Sequence, residues 1–332
     1  MISRREFLTH AVLTMAVTLA TTMLPASSGH AQAWPNRPVR IIIPLPAGGG
    51  SDFLARLLSE GFEPTFGQPL IVENRVGAGG RIGIEYASKQ PPDGHTMLFI
   101  TNTQVVQPAL FAKLPYDIMR DFDPVSLMAQ LSVVLLVHTG VPAHSAKEYI
   151  ALARAKPGYV TFGSSGIGSP FHLGGELLKS MTGVDMLHVP YRGSAQLTGA
   201  LLAGEVMSVF APLHSAFLPS IRSGKLRVVG VATSERSPLM PDVPTIAESV
   251  PLPGYALDAW LGVVVPAGTP KPIVDRLSGA IAALVKDPAF VKRWGPQGWQ
   301  PIGSTPEEMR AKMRAGLPKY AKIVKDARIP AQ

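Results

Sequence analysis

Ile41-Ile42-Ile43-Pro44-Leu45-Pro46-Ala47-Gly48-Gly49-Gly50-Ser51-Asp52 is the stretch whose reading decides the fold. Its β-branched run reads as a buried strand that breaks at two prolines. Three glycines then let the backbone turn where a Cβ would clash. Ser51 and Asp52 suit the N-cap or first turn of a helix, and Phe53, Leu54, Leu57 and Leu58 follow at helical spacing. Strand, glycine loop and helix N-terminus together offer free backbone N–H groups and a positive dipole end to an anion. The same stretch reads equally well as an ordinary βα turn. A phosphate-binding P-loop is excluded, because that pattern needs Gly-Lys-Ser/Thr at the helix start. Here Gly50-Ser51-Asp52 puts a carboxylate near the lysine position. An anion at this loop is therefore expected to be a carboxylate on backbone donors, not a nucleotide.

Working outward, 332 residues are enough for two domains. With 46% hydrophobic and 16% charged residues the chain is globular, not disordered. The N-terminus reads as an export signal over residues 1–33. Arg4 and Arg5 form its charged start, residues 11–24 its apolar stretch, and Ala31-Gln32-Ala33 its cleavage site. Ser3-Arg4-Arg5-Glu6-Phe7-Leu8 matches the twin-arginine pattern except that Thr9 stands where lysine is common. The apolar stretch, about 14 residues, is shorter than the ~20 a membrane helix requires. A cleaved signal and a mature periplasmic protein from Trp34 are expected.

The chain has no cysteine, which removes disulfides, thiolate metal sites, a cysteine nucleophile and a lipoprotein anchor. Losing the signal lowers the formal net charge of +8 by one, and the remaining charges are scattered. Nucleic-acid binding would need a basic stripe, so a mild preference for anionic solutes is the better reading.

Further along, Pro69-Leu70-Ile71-Val72-Glu73 reads as a strand, and the following Gly77-Ala78-Gly79-Gly80 fails the dinucleotide fingerprint. The strand Thr96-Met97-Leu98-Phe99-Ile100 delivers Thr101, Asn102, Thr103 and Gln104 at its carboxyl end, where open α/β sheets bind ligands. Residues 132–137 read as a strand and 146–156 as an amphipathic helix. Tyr159-Val160-Thr161-Phe162 then enters Gly163-Ser164-Ser165-Gly166-Ile167-Gly168-Ser169-Pro170, with helical periodicity over 171–181. The opening theme thus recurs, and two such loops in separate halves suggest two lobes facing one ligand.

Two chemical readings of the second loop are weak. Gly163-Ser164-Ser165-Gly166-Ile167 lacks the last glycine of a nucleophile elbow. His172 and Glu176 stand one helical turn apart, yet no third metal ligand is placed. No cofactor is expected. Alternating strands and helices continue through 186–232. Arg192, after Tyr191 at a strand end, is either a carboxylate partner or a surface arginine. A proline-rich connection over 237–254 precedes a strand at 260–265 and a helix at 273–285. Thr305-Pro306-Glu307-Glu308 carries a capping box that starts a last helix, interrupted or restarted around Pro318.

These residues together resemble the extracytoplasmic receptors of tripartite tricarboxylate transporters, the Bug receptors. The resemblance covers essentially the whole mature chain. It rests on Trp34-Pro35-Asn36-Arg37-Pro38, the Pro46 to Asp52 loop, Val72-Glu73-Asn74-Arg75 with Gly77-Ala78-Gly79-Gly80, and Leu114-Pro115-Tyr116-Asp117. Gly163-Ser164-Ser165-Gly166, His188-Val189-Pro190-Tyr191-Arg192-Gly193, Pro241-Asp242-Val243-Pro244-Thr245 and Pro266-Ala267-Gly268-Thr269-Pro270 complete it.

The resemblance implies an α/β, two-lobed, periplasmic-binding-protein-like (type II) fold. Each lobe would be a mostly parallel sheet flanked by helices, closing on a small organic carboxylate. Residues 34–132 and 257–332 would form one lobe and 133–256 the other, with crossings near 131–134 and 255–260. The ligand positions carried over are Ala47, Gly48, Gly49, Gly50, Ser51 and Asp52 in the first lobe, with Thr103 and the adjacent Gln104. In the second lobe they are Ser164, Ser165, Gly166, Gly168 and Ser169, with His172, Tyr191 and Arg192. One departure is Ala211, where many relatives have an aspartate that meets an amino-acid ammonium; with Phe210 and His214 nearby, a flatter or aromatic carboxylate is the expectation. The protein would act as a monomer, without nucleic acid, and serve a membrane permease. A sensory accessory to a membrane kinase is the alternative, with a serine hydrolase the remotest.

Overall fold

The first strand, β1 (Val39–Ile43), is buried except at Arg40. It lies between β2 (Leu70–Asn74) and β3 (Thr96–Thr101) and runs parallel to both. The connecting helices α1 (Gly50–Phe66) and α2 (Arg81–Ser88) return the chain to the same end of the sheet, as parallel pairing demands. These coordinates, a computed structural model, describe residues 34–167, 169–213, 217–257, 259–327 and 329. The expected signal segment, Gly168 and His214 lie outside the described residues.

Beyond β3 the sheet turns antiparallel. Strand β10 (Trp260–Pro266) pairs with β3 and with β4 (Phe122–Leu131), and the short β11 (Trp299–Pro301) closes the edge on β4. A second sheet has the order β7 (Leu187–Pro190), β6 (Thr161–Ser164), β8 (Ser208–Pro212), β5 (Val133–His138), β9 (Leu226–Val231). There β6 is parallel to both neighbours and β5 antiparallel to both. Mostly parallel sheets were the expectation, and both are mixed. The reason is the traffic between them: β4 leads out of the first sheet and β10 leads back, so the two must run oppositely.

Only Ser132 separates β4 from β5. The outgoing and returning segments are bonded where they pass, Leu131 N–H donating to Ala259 O at 2.7 Å, and the returning chain is tied to the end of β9 by Leu257 N–H donating to Ala232 O at 2.7 Å. Helices cover the faces. One cluster packs Ile42, Leu98 and Val264 against Met309 and Met313, and another packs Leu135, Phe162 and Phe210 against Tyr149 and Ile150. No described helix is long and apolar enough to cross a membrane.

Two strands escaped the sequence reading. Strand β4 begins Phe122-Asp123-Pro124, a poor strand signal, and tertiary contacts override it: Asp123 accepts from Gly268 N–H and pairs with Arg310. Strand β11 is three residues long and shows no periodicity. The last helix, α11 (Pro306–Asp326), also differs from expectation, since it runs unbroken through Pro318. Its buried stripe, Met309, Met313, Tyr320, Ile323 and Val324, spans the proline, so packing on both sides outweighs one lost helical hydrogen bond. Pro318 itself is exposed. Pro318→Ala should therefore stabilise the protein by about 1–3 kcal/mol, read as a raised midpoint in urea unfolding. An unchanged or lowered midpoint would mean that the helix is in fact broken there.

Candidate functional site

Three helices begin at the carboxyl ends of strands and point their first turns at one cavity. The first, α1, has Gly49 as N-cap in extended conformation with no side-chain cap bond. Its first helical hydrogen bond runs from Phe53 N–H to Gly49 O at 3.0 Å. The N–H groups of Gly50, Ser51 and Asp52 thus precede the helical ladder. Asp52 turns away from the cavity. Its carboxylate accepts from Gly48 N–H at 3.0 Å and from Arg56 Nε at 2.9 Å. The Arg56 guanidinium holds the carboxyl below the usual range, against the opposing effect of burial.

The second, α3 (Asn102–Leu110), starts directly from β3. Thr101 Oγ1 accepts from Thr103 N–H at 3.2 Å, and Gln104 Oε1 accepts from Thr101 N–H at 2.7 Å. This capping box uses the Gln104 oxygen and leaves the residue fully buried.

The third, α5 (Pro170–Thr182), follows β6, with the Ser169 hydroxyl accepting from His172 N–H at 3.3 Å. Behind this loop sits a closed network. Ser164 Oγ donates to Gly166 O at 2.9 Å and accepts from Gly166 N–H at 3.1 Å; His188 Nε2 lies 2.7 Å away. With the hydroxyl's one proton on the carbonyl, His188 donates to Ser164 through Nε2–H. Its ring stacks on His172 with centroids 3.9 Å apart and on Phe162 at 5.0 Å. Burial pushes His172 down to about 3, helped by His188 and Lys179, and pushes His188 down to about 4, helped by Lys179. Both rings are neutral at pH 7.

The cavity has a volume of about 710 Å³. Gly48, Gly49, Gly50, Ser51, Thr101, Asn102 and Thr103 line it from the first sheet's side, and Ser165 and Ser169 from the second's. Leu131, Ala259 and Trp260, at the crossing, also line it, and Leu45, Phe53, Phe171, Pro212 and Trp299 complete the wall. No charged side chain lines it among the described residues. Any anion there meets dipoles, N–H groups and hydroxyls in a partly desolvated cleft. A second cavity, about 230 Å³, lies at the crossing among Gln130, Ser132, Thr233, Arg236, Gln300 and Lys312. It carries charges of both signs, Glu235 included, and meets no helix N-terminus, so the larger one is the candidate site.

The structure brings together at this cavity nine of the residues singled out from sequence: Gly48, Gly49, Gly50, Ser51, Thr101, Asn102, Thr103, Ser165 and Ser169. Ala47 is exposed beside it. Asp52, Gln104, Ser164, Gly166 and His172 stand behind it and hold its loops. Tyr191 packs against the core of the second sheet, and Arg192 is exposed, with its N–H donated to Gln196 Oε1 at 2.9 Å. Phe210 and Ala211 do not line the cavity: both are core residues, Phe210 fully buried. The aromatic wall comes instead from Phe53, Phe171, Trp260 and Trp299, none of which sequence reasoning singled out.

Trp299 could have been noticed. It follows Gly298, a turn glycine at φ +92° whose added Cβ would come 2.3 Å from Leu213 O. Only glycine lets β11 pass that close and deliver the indole. Gly50 completes the fit, since Trp299 Cζ2 lies 3.0 Å from where its Cβ would be.

A chain of two α/β sheets, joined by crossing strands beside a cleft ringed by helix N-termini, is a two-lobed receptor of the periplasmic-binding-protein kind. The comparison with known proteins names the family. Residues 54–328 match the tripartite tricarboxylate transporter family receptor, TctC, and the chain belongs to it. BugT of Bordetella pertussis is 33% identical over 318 residues, 95% of this chain and 96% of BugT. Among solved structures, R. palustris Rpa4515 with adipate is 34% identical, with TM-score 0.78, covering 90% of this chain and 100% of that one. MatC from Rhodopseudomonas palustris with bound malate is 30% identical, with TM-score 0.74, covering 88% and 100%. The family is one of solute receptors and not of enzymes, which sets aside the hydrolase reading of Ser165.

Two outcomes follow from the histidine network. His188→Ala removes the Nε2–H donor, so affinity for a cleft ligand should fall about two- to tenfold by calorimetry. His188→Gln, which supplies an amide donor, should recover part of it; equal losses would mean the ring matters only as filling. Because both histidines have depressed pKa values, the unfolded chain takes up protons below pH 6.5 that the folded chain refuses until about pH 4 and 3. Their contribution to stability is full above pH 6.5 and declines as pH falls towards 4. The melting temperature should drop over that window, and less steeply in His172→Gln; an identical slope would contradict the assignment.

Proposed function

We propose that this chain is a periplasmic receptor that closes two lobes on a small organic carboxylate and delivers it to a tripartite tricarboxylate-type membrane transporter. In this reading residues 1–33 are removed on export, residues 34–132 and 257–332 form one lobe, and residues 133–256 form the other. The observation that carries it is the cavity of about 710 Å³ lined from both sheets, with three helix N-termini and no charged side chain among the described residues. Such a site favours an anion, and no described side chain that lines it offers a carboxylate to an ammonium group. The bound adipate of Rpa4515 and malate of MatC support the same class of ligand.

Closure supplies the signal. A carboxylate that touches donors of both lobes binds the closed state better than the open one, and the population shifts accordingly. The permease then meets a surface that exists only when ligand is bound.

The test is a thermal-shift series on the exported protein with adipate, malate, citrate, benzoate and glutamate. A ligand at about a thousand times its Kd adds ~4 kcal/mol of stability, a large upward shift. At least one of the carboxylates should produce it, and glutamate should not. If no compound shifts the transition, or if only glutamate does, the carboxylate reading fails. For delivery, uptake of the shifting compound should collapse in cells lacking this chain and return with it.

A further inference from the structure

The cavity carries two kinds of surface. Its donors gather at the helix starts, notably Gly50 and Ser51, and four aromatic rings, Phe53, Phe171, Trp260 and Trp299, line the same cavity. Two of the chain's four tryptophans are spent on this one cavity. Three of the four rings, Phe53, Phe171 and Trp299, are only half-buried, so they face the cleft with apolar surface still in water. The two kinds of surface also touch. The Trp299 ring lies against Gly50, 3.0 Å from its absent Cβ, and Gly50 is the first residue of α1. An anion held by that first turn therefore sits beside an indole, with no spacer between charge site and apolar wall.

Small aliphatic hydroxy acids fit this poorly. Their hydroxyls and second charges would gain little from ring faces, where only the indole N–H groups of Trp260 and Trp299 can donate, and a polar group buried without a partner costs affinity. A carboxylate joined directly to a flat apolar ring matches both surfaces at once, and covering exposed rings with another ring adds stacking to area burial.

We propose that the ligand is an aromatic carboxylate, its carboxylate on the α1 first turn and its ring against Trp299 and the neighbouring aromatics. This rests on the carboxylate-receptor reading above and narrows it.

Intrinsic tryptophan fluorescence of the exported protein, titrated with benzoate, adipate and malate, tests the assignment, with calorimetry giving the dissociation constants. Benzoate should bind at least tenfold more tightly than adipate or malate and change the tryptophan emission. Trp299→Leu keeps an apolar side chain and removes the ring, and should weaken benzoate about tenfold. If adipate or malate binds more tightly than benzoate, the aromatic assignment is overturned while the receptor reading stands. If none of the three binds, the aromatic assignment is overturned, and the receptor reading stands or falls on the thermal-shift series. A Trp299→Leu protein that is folded and binds benzoate as tightly as the parent would also overturn the assignment.

Discussion

The first turn of an α-helix has N–H groups with no carbonyl to bond to inside the helix, and the cleft of this protein depends on that shortfall. Helices α1, α3 and α5 each begin at the cavity. Their dipoles add positive potential there, and their open donors are groups that can replace the water an anion loses on entering such a site. The wall can consequently be neutral. A lysine or arginine would bind an anion more strongly but would itself need desolvating, and its flexible side chain would fix the geometry less well.

Neutral donors work only if they are held still, and much of the polar chemistry around the cleft does that. Asp52 closes the first loop on Gly48 and Arg56. Gln104 and Thr101 cap α3. Ser164 ties the two ends of Gly166 together and is itself held by His188. In each case a side chain that looks like a ligand contact is spent on backbone geometry. The His172–His188 stack fits the same pattern, since burial keeps both rings neutral and adds no charge to the rear of the second loop.

The crossing strands set where these loops meet. One residue, Ser132, links the two sheets, and the returning chain is hydrogen-bonded to the outgoing one beside it. Leu131, Ala259 and Trp260 consequently border the cavity at the crossing itself. The antiparallel strands that broke the expected parallel pattern are those the crossing requires. Strand β11 is carried in the same region, and with it comes Trp299.

The sequence by itself determined the local pieces. The isoleucine run, the glycine loop and the leucine periodicity define β1, its turn and α1, because strand, turn and helix are short-range choices of backbone and burial. The second loop, its serine cap and the Thr305 capping box were legible for the same reason, and the ordered motifs pointed to the receptor family. Tertiary structure decided which residues of those motifs face the cleft. Nothing local says that Asp52, Gln104 and Ser164 turn inward to hold backbone, because the groups they satisfy are fixed only once the loops fold. Nothing local places Phe210 in the core, or puts Trp299 against Gly50, a contact between residues 50 and 299. Secondary structure follows from neighbours in the chain; a binding surface is made of residues that only packing brings together.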